Sequence, residues 1–277
     1  MKSSRVLIKL GGASLQDESI FEVVTEALKQ YLQYHYQVAV VHGGGPAINA
    51  ELSRRGIQWT FQGGQRVTTP EMMDVIEMVL AGSINQKLVR FMNSKGLPAI
   101  GVSGTDRGTL KCRPLSEEMG MVGVVEEVEA QWLNAFIKPQ QSTVPIVAPI
   151  GCGANGESYN INADGAASSL AAHLGARYLI FLTDQDGILD ATGKPFRVVS
   201  DEDLEAMIRD EVVTGGMATK TRAILHALRS GVKTVRVLNT KSILQGLWSD
   251  YVGTWCIQKN AAKSFFKNEY RRAYTYA

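Results

Sequence analysis

The chain has 277 residues, 45% hydrophobic and 20% charged, enough to bury a substantial core with an ordinary globular composition. A formal charge of +2 offers no electrostatic case for nucleic acid or an anionic membrane, and no apolar run reaches the ~18 residues of a membrane span. Three widely spaced cysteines, Cys112, Cys152 and Cys256, lack C-x-x-C geometry and read as buried thiols of a cytoplasmic protein.

Residues 6–10, VLIKL, read as a buried strand; Lys9 interrupts the apolar run too early for a signal peptide. Gly11-Gly12 follows, then a helix capped by Asp17, with Ile20, Val23, Val24, Ala27, Leu28, Tyr31 and Leu32 at the helical period. A second strand, 38–41, runs into HGGGPAINAELSRRG, where Pro46 suits a first helical turn and Gly56 a C-terminal cap. Thr69-Pro70 opens one long helix that Gly96 closes. Residues 98–102 form a short strand, and 110–128 read as hairpin-like. Strands at 143–149 and 177–183 flank a helix that starts near Asp164. Ser200 and Asp203 resemble a capping box, and after the helix of Lys220 come a strand, a helix and a last strand near 257. This alternation predicts an α/β fold with a mostly parallel sheet covered on both faces. No linker separates two domains. A soft boundary near Gly175 divides an N-lobe, 1–174, from a C-lobe, 175–258, with a tail at 259–277.

Three glycine turns carry the chemistry: LGG (10–12), HGGG (42–45) and TGGM (214–217), each read as a strand-to-helix junction. Glycine lets a backbone approach a ligand closely, and a helix start offers free N–H donors, so such turns at the carboxyl edge of a parallel sheet suit phosphate. TGGMATK is not a P-loop, because Thr219 rather than glycine precedes Lys220. Lys9, in an apolar strand, needs an anion or an exit to solvent. Arg66 lies in a glycine-rich loop, where its fork could clamp a carboxylate or simply pair at the surface. In YNINADGAA, Asn160 and Asn162 share a face, and Asp164 either caps the helix or stands between two lysines. His42 reads as turn packing rather than a base, and no histidine has metal-ligand spacing. There is no G-x-S-x-G elbow and no G-x-G-x-x-G fingerprint. Lysines, an arginine and backbone N–H groups without a general base point to phosphoryl transfer. The missing base favours a carboxylate acceptor, which is already ionised at neutral pH.

In this order, KLGGASL, VVHGGGPAIN, GQRVTTPEMMDVIEMVLAGSINQKLV, YNINADGAA, TDQDGIL and TGGMATK resemble the N-acetylglutamate kinases of the amino acid kinase family, from about Val6 to Ile257. The resemblance implies a three-layer α/β/α sandwich around an open sheet, with the acylated amino acid in the N-lobe and ATP in the C-lobe. It implies ATP-dependent phosphorylation of the γ-carboxylate of N-acetyl-L-glutamate in arginine biosynthesis, with Mg²⁺ carried by the nucleotide and no protein metal site. Lys9 and Lys220 would flank the transferring phosphoryl group, organised by Asp164. Gly11, Gly12, Gly44 and Gly45 would donate N–H groups to phosphate or substrate, Arg66 would hold the α-carboxylate, and Asn160 the amino-acid portion. Thr183, Asp184, Gly215, Gly216 and Met217 would contact the nucleotide. Alternatives are a kinase for an N-acyl-aminoadipate, or a non-catalytic metabolite sensor on the same fold. Two positions depart from the usual pattern: Gln65 replaces leucine in GLRVT, and TDQDGIL replaces TDVxGIL. Arginine-inhibited relatives carry an extra helix before the first strand, and five residues precede Val6 here, so a homodimer is expected. In the tail, Phe266, Tyr270 and Tyr274 recur at i, i+4, i+8, which suits a short docked helix.

Overall fold

Strand β1 (Arg5–Leu10) sets the plan of the fold, because its alternate side chains enter two different cores. Leu7 joins one core, while Val6, Ile8 and Leu10 join the other. The computed structural model describes residues 4–137 and 143–261. The helix expected around Phe266, Tyr270 and Tyr274 lies outside the described residues. Asp17 begins α1 (Glu18–Gln33) by accepting the Ser19 N–H, and the helix lays Phe21, Val24 and Leu28 on the second core. Strand β2 (Gln37–His42) returns parallel to β1, and α2 (Gly45–Arg54) starts directly beyond it with Pro46 in its first turn. An antiparallel hairpin follows, β3 (Phe61–Gln62) and β4 (Gln65–Arg66). It turns at Gly63 and Gly64, whose positive φ of 58° and 80° suits glycine.

Thr69 caps α3 (Pro70–Glu77), as its place before Pro70 suggests. The long helix expected to run to Gly96 is not α throughout: Met78–Ile84 widens into a π-helical stretch before α4 (Asn85–Ser94) resumes. Packing supplies a reason. Leu80 and Ile84 close over Gly44, where an added Cβ would meet a methyl carbon of each at 2.5 Å. Such widened turns are rare and recur at functional sites.

Strand β5 (Ala99–Ser103) is followed by a hairpin of β6 (Leu110–Pro114) and β7 (Val122–Val128), then β8 (Val144–Ala148), β9 (Ile150–Cys152) and β10 (Ser158–Ile161). Strands β10, β7, β6 and β9 close into a small barrel apart from the main sheet. Helix α5 (Ala163–His173), β11 (Tyr178–Thr183), β12 (Val198–Ser200) and α6 (Asp201–Arg209) continue the chain, and Ser200 and Asp203 form the capping box that opens α6. Then come α7 (Gly215–Arg229), β13 (Thr234–Asn239), α8 (Ile243–Trp248) and β14 (Thr254–Ile257). TGGM therefore joins two helices and not a strand to a helix. After α6 the chain reverses, with the Val212 N–H on the Met207 carbonyl at 2.9 Å and the Val213 side chain buried in the first core.

Among the described residues the main sheet has eight strands in the order β12-β14-β13-β11-β1-β2-β8-β5, parallel except for the β13–β14 pair. Helices α5, α6 and α7 pack on one face; α1, α2, α3, α4 and α8 pack on the other. This is a three-layer α/β/α sandwich. The main-sheet strands before Gly175 fill one half of the sheet and those after it the other, meeting where β1 pairs with β11.

Candidate active site

Lys9 points to the α5/α7 face of the sheet, the face that also receives Leu7 and Phe181. Asn162 caps α5: its Oδ1 accepts the N–H groups of Asp164 at 3.0 Å and Gly165 at 3.3 Å. The cap is therefore Asn162, not Asp164, and the Asp164 carboxylate is released for another task. Lys9 Nζ stands 2.7 Å from Asp164 Oδ1 as an ion pair, and Lys220 Nζ donates to Oδ2 at 2.9 Å. All three residues are at most 8% exposed.

Burial alone would raise the Asp164 pKa, but the two ammonium groups outweigh it and hold the carboxyl at about 2. Lys220 is pushed down by burial and by repulsion from Lys9, and Asp164 opposes both. Two cations against one anion leave a local charge of +1 (2 − 1) in a poorly hydrated place. Such a site calls for a further anion. Lys220 Nζ also lies 5.1 Å from the Phe181 ring centre, which favours the charged form.

The first two glycine turns meet beside this triad. A Cβ on Gly12 would lie 2.8 Å from the Gly44 nitrogen and 2.9 Å from that of Gly45, so only bare backbone fits there. The Gly12, Gly44 and Gly45 N–H groups have no acceptor among the described residues. Gly11 departs from expectation: its N–H is taken by the Leu182 carbonyl at 3.1 Å, extending the contact of β1 with β11, and it is not free for phosphate. His42 pins the second turn. Asn85 Nδ2 bonds the Ile146 carbonyl at 2.7 Å and His42 Nε2 at 3.2 Å, which leaves Nδ1–H to donate to the Gly43 carbonyl at 2.9 Å. Burial lowers the His42 pKa to about 4, so the ring is neutral and structural.

A cavity of about 210 Å³ opens beside the triad, its lining including Lys9, Gly12, Gly44, Gly45, Arg66, Asn160 and Asp164. Arg66, on β4, is buried against the rings of Phe61 at 4.7 Å and Trp59 at 5.4 Å. Its Nη2 donates to Asn49 Oδ1, while its Nη1 is buried without a partner. An unmade donor of this kind costs about 1–3 kcal/mol until a ligand satisfies it. Asn160, on β10, donates through Nδ2 to Thr68 Oγ1 at 3.1 Å, and its Oδ1 takes no donor among the described residues. Two residues of the same cavity wall thus hold, among the described residues, one donor without an acceptor and one acceptor without a donor.

The remaining sequence candidates lie outside that cavity. Thr183 ends β11 and Asp184 follows it: the Thr183 carbonyl accepts from Thr240 at 3.0 Å, and that of Asp184 from Asn239 at 3.2 Å. The Asp184 charge acts favourably on Lys220. Gly215, Gly216 and Met217 form the first turn of α7, one turn before Lys220. Thr219 Oγ1 lies 3.3 Å from both the Gly63 and the Gly215 carbonyl oxygens and shares its one proton between the tip of the β3–β4 hairpin and its own helix. Asn49, Thr68, Asn85 and Thr240 were not singled out from the sequence. Asn49, Thr68 and Asn85 lie inside recognised motifs and Thr240 just beyond β13, and only their partners give them meaning.

The profile of the Amino acid kinase family matches residues 4–239. Acetylglutamate kinase of Bacillus cereus is 40% identical over 252 residues, covering 91% of this chain and 96% of the relative. Acetylglutamate kinase of Bacillus cytotoxicus is 41% identical over 251 residues, covering 90% and 94%. Among solved structures, the N-acetylglutamate synthase from Neisseria gonorrhoeae with coenzyme A and N-acetyl-glutamate superposes with TM-score 0.80 at 20% identity, over 92% of this chain and 60% of that one. Giardia carbamate kinase superposes with TM-score 0.70 at 15% identity, over 94% and 100%. At these identities the two structures speak for the fold alone.

Proposed function

The chain belongs to the amino acid kinase family, and from that premise we propose that it is an ATP-dependent kinase for the γ-carboxylate of N-acetyl-L-glutamate, forming N-acetyl-L-glutamyl 5-phosphate for arginine biosynthesis. One observation carries the reading: two ammonium groups share Asp164 at the edge of a cavity that also holds an unpartnered Arg66 donor and an open Asn160 acceptor. Arg66 grips the α-carboxylate, Asn160 Oδ1 takes the amide N–H, and the side-chain carboxylate is left facing the lysines.

The transfer is direct and in line. The γ-carboxylate oxygen attacks the terminal phosphorus of ATP, the bond to the bridging oxygen breaks, and ADP leaves with that electron pair. No base is needed, because the acceptor is already ionised. Lys9 and Lys220 neutralise the charge that develops on the transferring oxygens, and the free N–H groups of Gly12, Gly44 and Gly45 add donors that need no rearrangement. Thr183, Asp184, Gly215, Gly216 and Met217 hold the nucleotide on the α7 side, and Gly11 serves through the position of its backbone. Mg²⁺ is brought by the nucleotide, in keeping with an Asp164 whose two oxygens are both engaged by lysines. The 1–174 and 175–258 halves act as acceptor and nucleotide lobes.

The reading extends to a cytoplasmic homodimer, in keeping with the free thiols of Cys112, Cys152 and Cys256; light scattering on the purified chain reads the oligomer directly. The activity is tested by ADP release with N-acetyl-L-glutamate, N-acetyl-L-aspartate, N-acetyl-L-aminoadipate and free L-glutamate. N-acetyl-L-glutamate should give the highest kcat/KM. A best substrate one methylene longer would move the assignment to the aminoadipate class, and binding without turnover of any of them would mark a sensor.

A further inference from the structure

Thr68 lies two residues beyond Arg66 in the chain, is fully buried, and takes no part in the chemistry described above. Its backbone is clamped on both sides: its N–H donates to the Met119 carbonyl at 3.2 Å, and its carbonyl accepts the Met121 N–H at 2.7 Å. Between them, Gly120 has a positive φ of 62°, and a Cβ there would come within 2.4 Å of the Thr68 carbonyl oxygen. The hydroxyl is therefore held in place by its own main chain.

A hydroxyl has one proton to give. Thr68 Oγ1 gives it to the Arg66 carbonyl at 2.9 Å. Having given it, Oγ1 can only accept, and the group that donates to it is Asn160 Nδ2 at 3.1 Å, from a strand 92 residues away. A half-turn of the Asn160 carboxamide would set its oxygen against an oxygen with no proton to offer. One side-chain orientation is thereby fixed, with Oδ1 free of any donor among the described residues, in a residue that lines the cavity. The same hydroxyl holds the main chain of Arg66, so the two groups on the acceptor side hang from a single atom.

We infer that Thr68 is a positioning residue of the acceptor pocket: by fixing the Asn160 carboxamide it makes the pocket choose an acceptor with an N–H next to the α-carbon, and reject the ester that carries oxygen there. This rests on the function proposed above. An N-acyl amino acid offers a proton to Asn160 Oδ1, whereas the corresponding O-acyl compound sets oxygen against oxygen. Without the Thr68 hydroxyl, the carboxamide can turn and offer Nδ2 instead, and the discrimination fades.

The test compares kcat/KM for N-acetyl-L-glutamate and for its ester counterpart, 2-acetoxyglutarate, in the wild type, Thr68→Val and Thr68→Ser, with ATP kinetics and melting recorded for each. The wild type should prefer the amide by at least about tenfold, since a buried acceptor would otherwise go unpaired. Thr68→Val should bring that ratio close to unity and raise the acceptor KM by about tenfold, with kcat on N-acetyl-L-glutamate and the ATP KM within about twofold. Thr68→Ser should restore the wild-type ratio. An unchanged ratio in Thr68→Val overturns the inference. So does a fall in kcat and melting temperature that Thr68→Ser leaves unrepaired, which would mark Thr68 as structural only. A wild-type protein that turns over neither compound sinks the proposed activity itself, a result distinct from normal turnover with an unmoved ratio.

Discussion

Replacing Asp164 by asparagine keeps the shape of the buried triad and removes its only negative charge. The size of the effect can be approached in two ways. The carboxyl is held at about 2 against an ordinary 3.8, and 3.8 − 2 is 1.8 pH units, worth about 2 kcal/mol at ~1.4 kcal/mol per unit. Leaving buried ammonium groups without their counter-ion costs about 3–5 kcal/mol where such pairs have been broken. Asp164→Asn should therefore lose about 2–5 kcal/mol of stability at neutral pH, with a fall in turnover of several orders of magnitude. The sign with pH is definite. The folded pKa lies below the unfolded one, so the stabilisation is full above pH ~4 and disappears as pH falls through about 2. Urea unfolding followed by circular dichroism, for both proteins from neutral pH into acid, reads this directly: the two stabilities should converge as acid is added. Equal stability at neutral pH, or a gap that stays constant down to pH ~2, would refute the view that the lysines are held by this carboxylate.

Three other outcomes are expected. Lys220→Met should lower kcat by about 10²–10⁴-fold, because its charge acts on the transferring group, while calorimetry shows acceptor affinity within about threefold of the wild type. Arg66→Ala should act in the opposite sense, raising the acceptor KM by about 10²-fold with saturated turnover largely kept; melting should fall modestly, because the loss of the bond to Asn49 and of the packing on Phe61 and Trp59 outweighs the relief of the unpartnered Nη1. His42 is held at about 4 by burial, below its ordinary 6.5, so its proton prefers the unfolded chain. The stability linked to it is full above pH ~6.5 and lost as pH falls toward 4, by about 3 kcal/mol for 2.5 units. His42→Gln should flatten that part of the urea-stability profile, and identical slopes in the two proteins would contradict a buried neutral ring.

Most of the fold was legible because its signals are local. Asp17, Thr69 and the Ser200/Asp203 pair open helices where their side chains allow, and the strand at 6–10 carries its burial in its composition. What escaped the sequence depends on partners distant in the chain. The π-helical turn at Met78–Ile84 holds Gly82 and Ser83, which weaken an α-helix without saying that it widens, while Leu80 and Ile84 pack on a glycine more than thirty positions earlier. TGGM reads from sequence as following a strand, whereas the element before it is α6, which ends at Arg209 and turns back through the Val212 N–H on the Met207 carbonyl. At the site, Lys9 stands out as a charge in an apolar strand and Lys220 as a lysine one turn past a glycine turn; their joint role comes from the family resemblance, and Asp164 carries two readings that only the Asn162 cap separates. Gly11 was assigned a free donor that β11 consumes. Thr68 could not have been found from sequence, since its role depends on which of two neighbours receives its one proton.

The pairing of β1 with β11 has a mechanical consequence. Five residues of each, from Val6 opposite Tyr178 to Leu10 opposite Leu182, form a continuous spine down the middle of the molecule. Sliding one half along the other would break that ladder everywhere at once, and pulling them apart would unzip it. A twist about the strand direction would spare these bonds, but α5 packed on α7 and α1 packed on α8 bridge the two halves on either face and resist it. Lys9 belongs to that spine, whereas Lys220 rides on α7. The spacing between the two ammonium groups is therefore set by the ladder together with the helices that brace it.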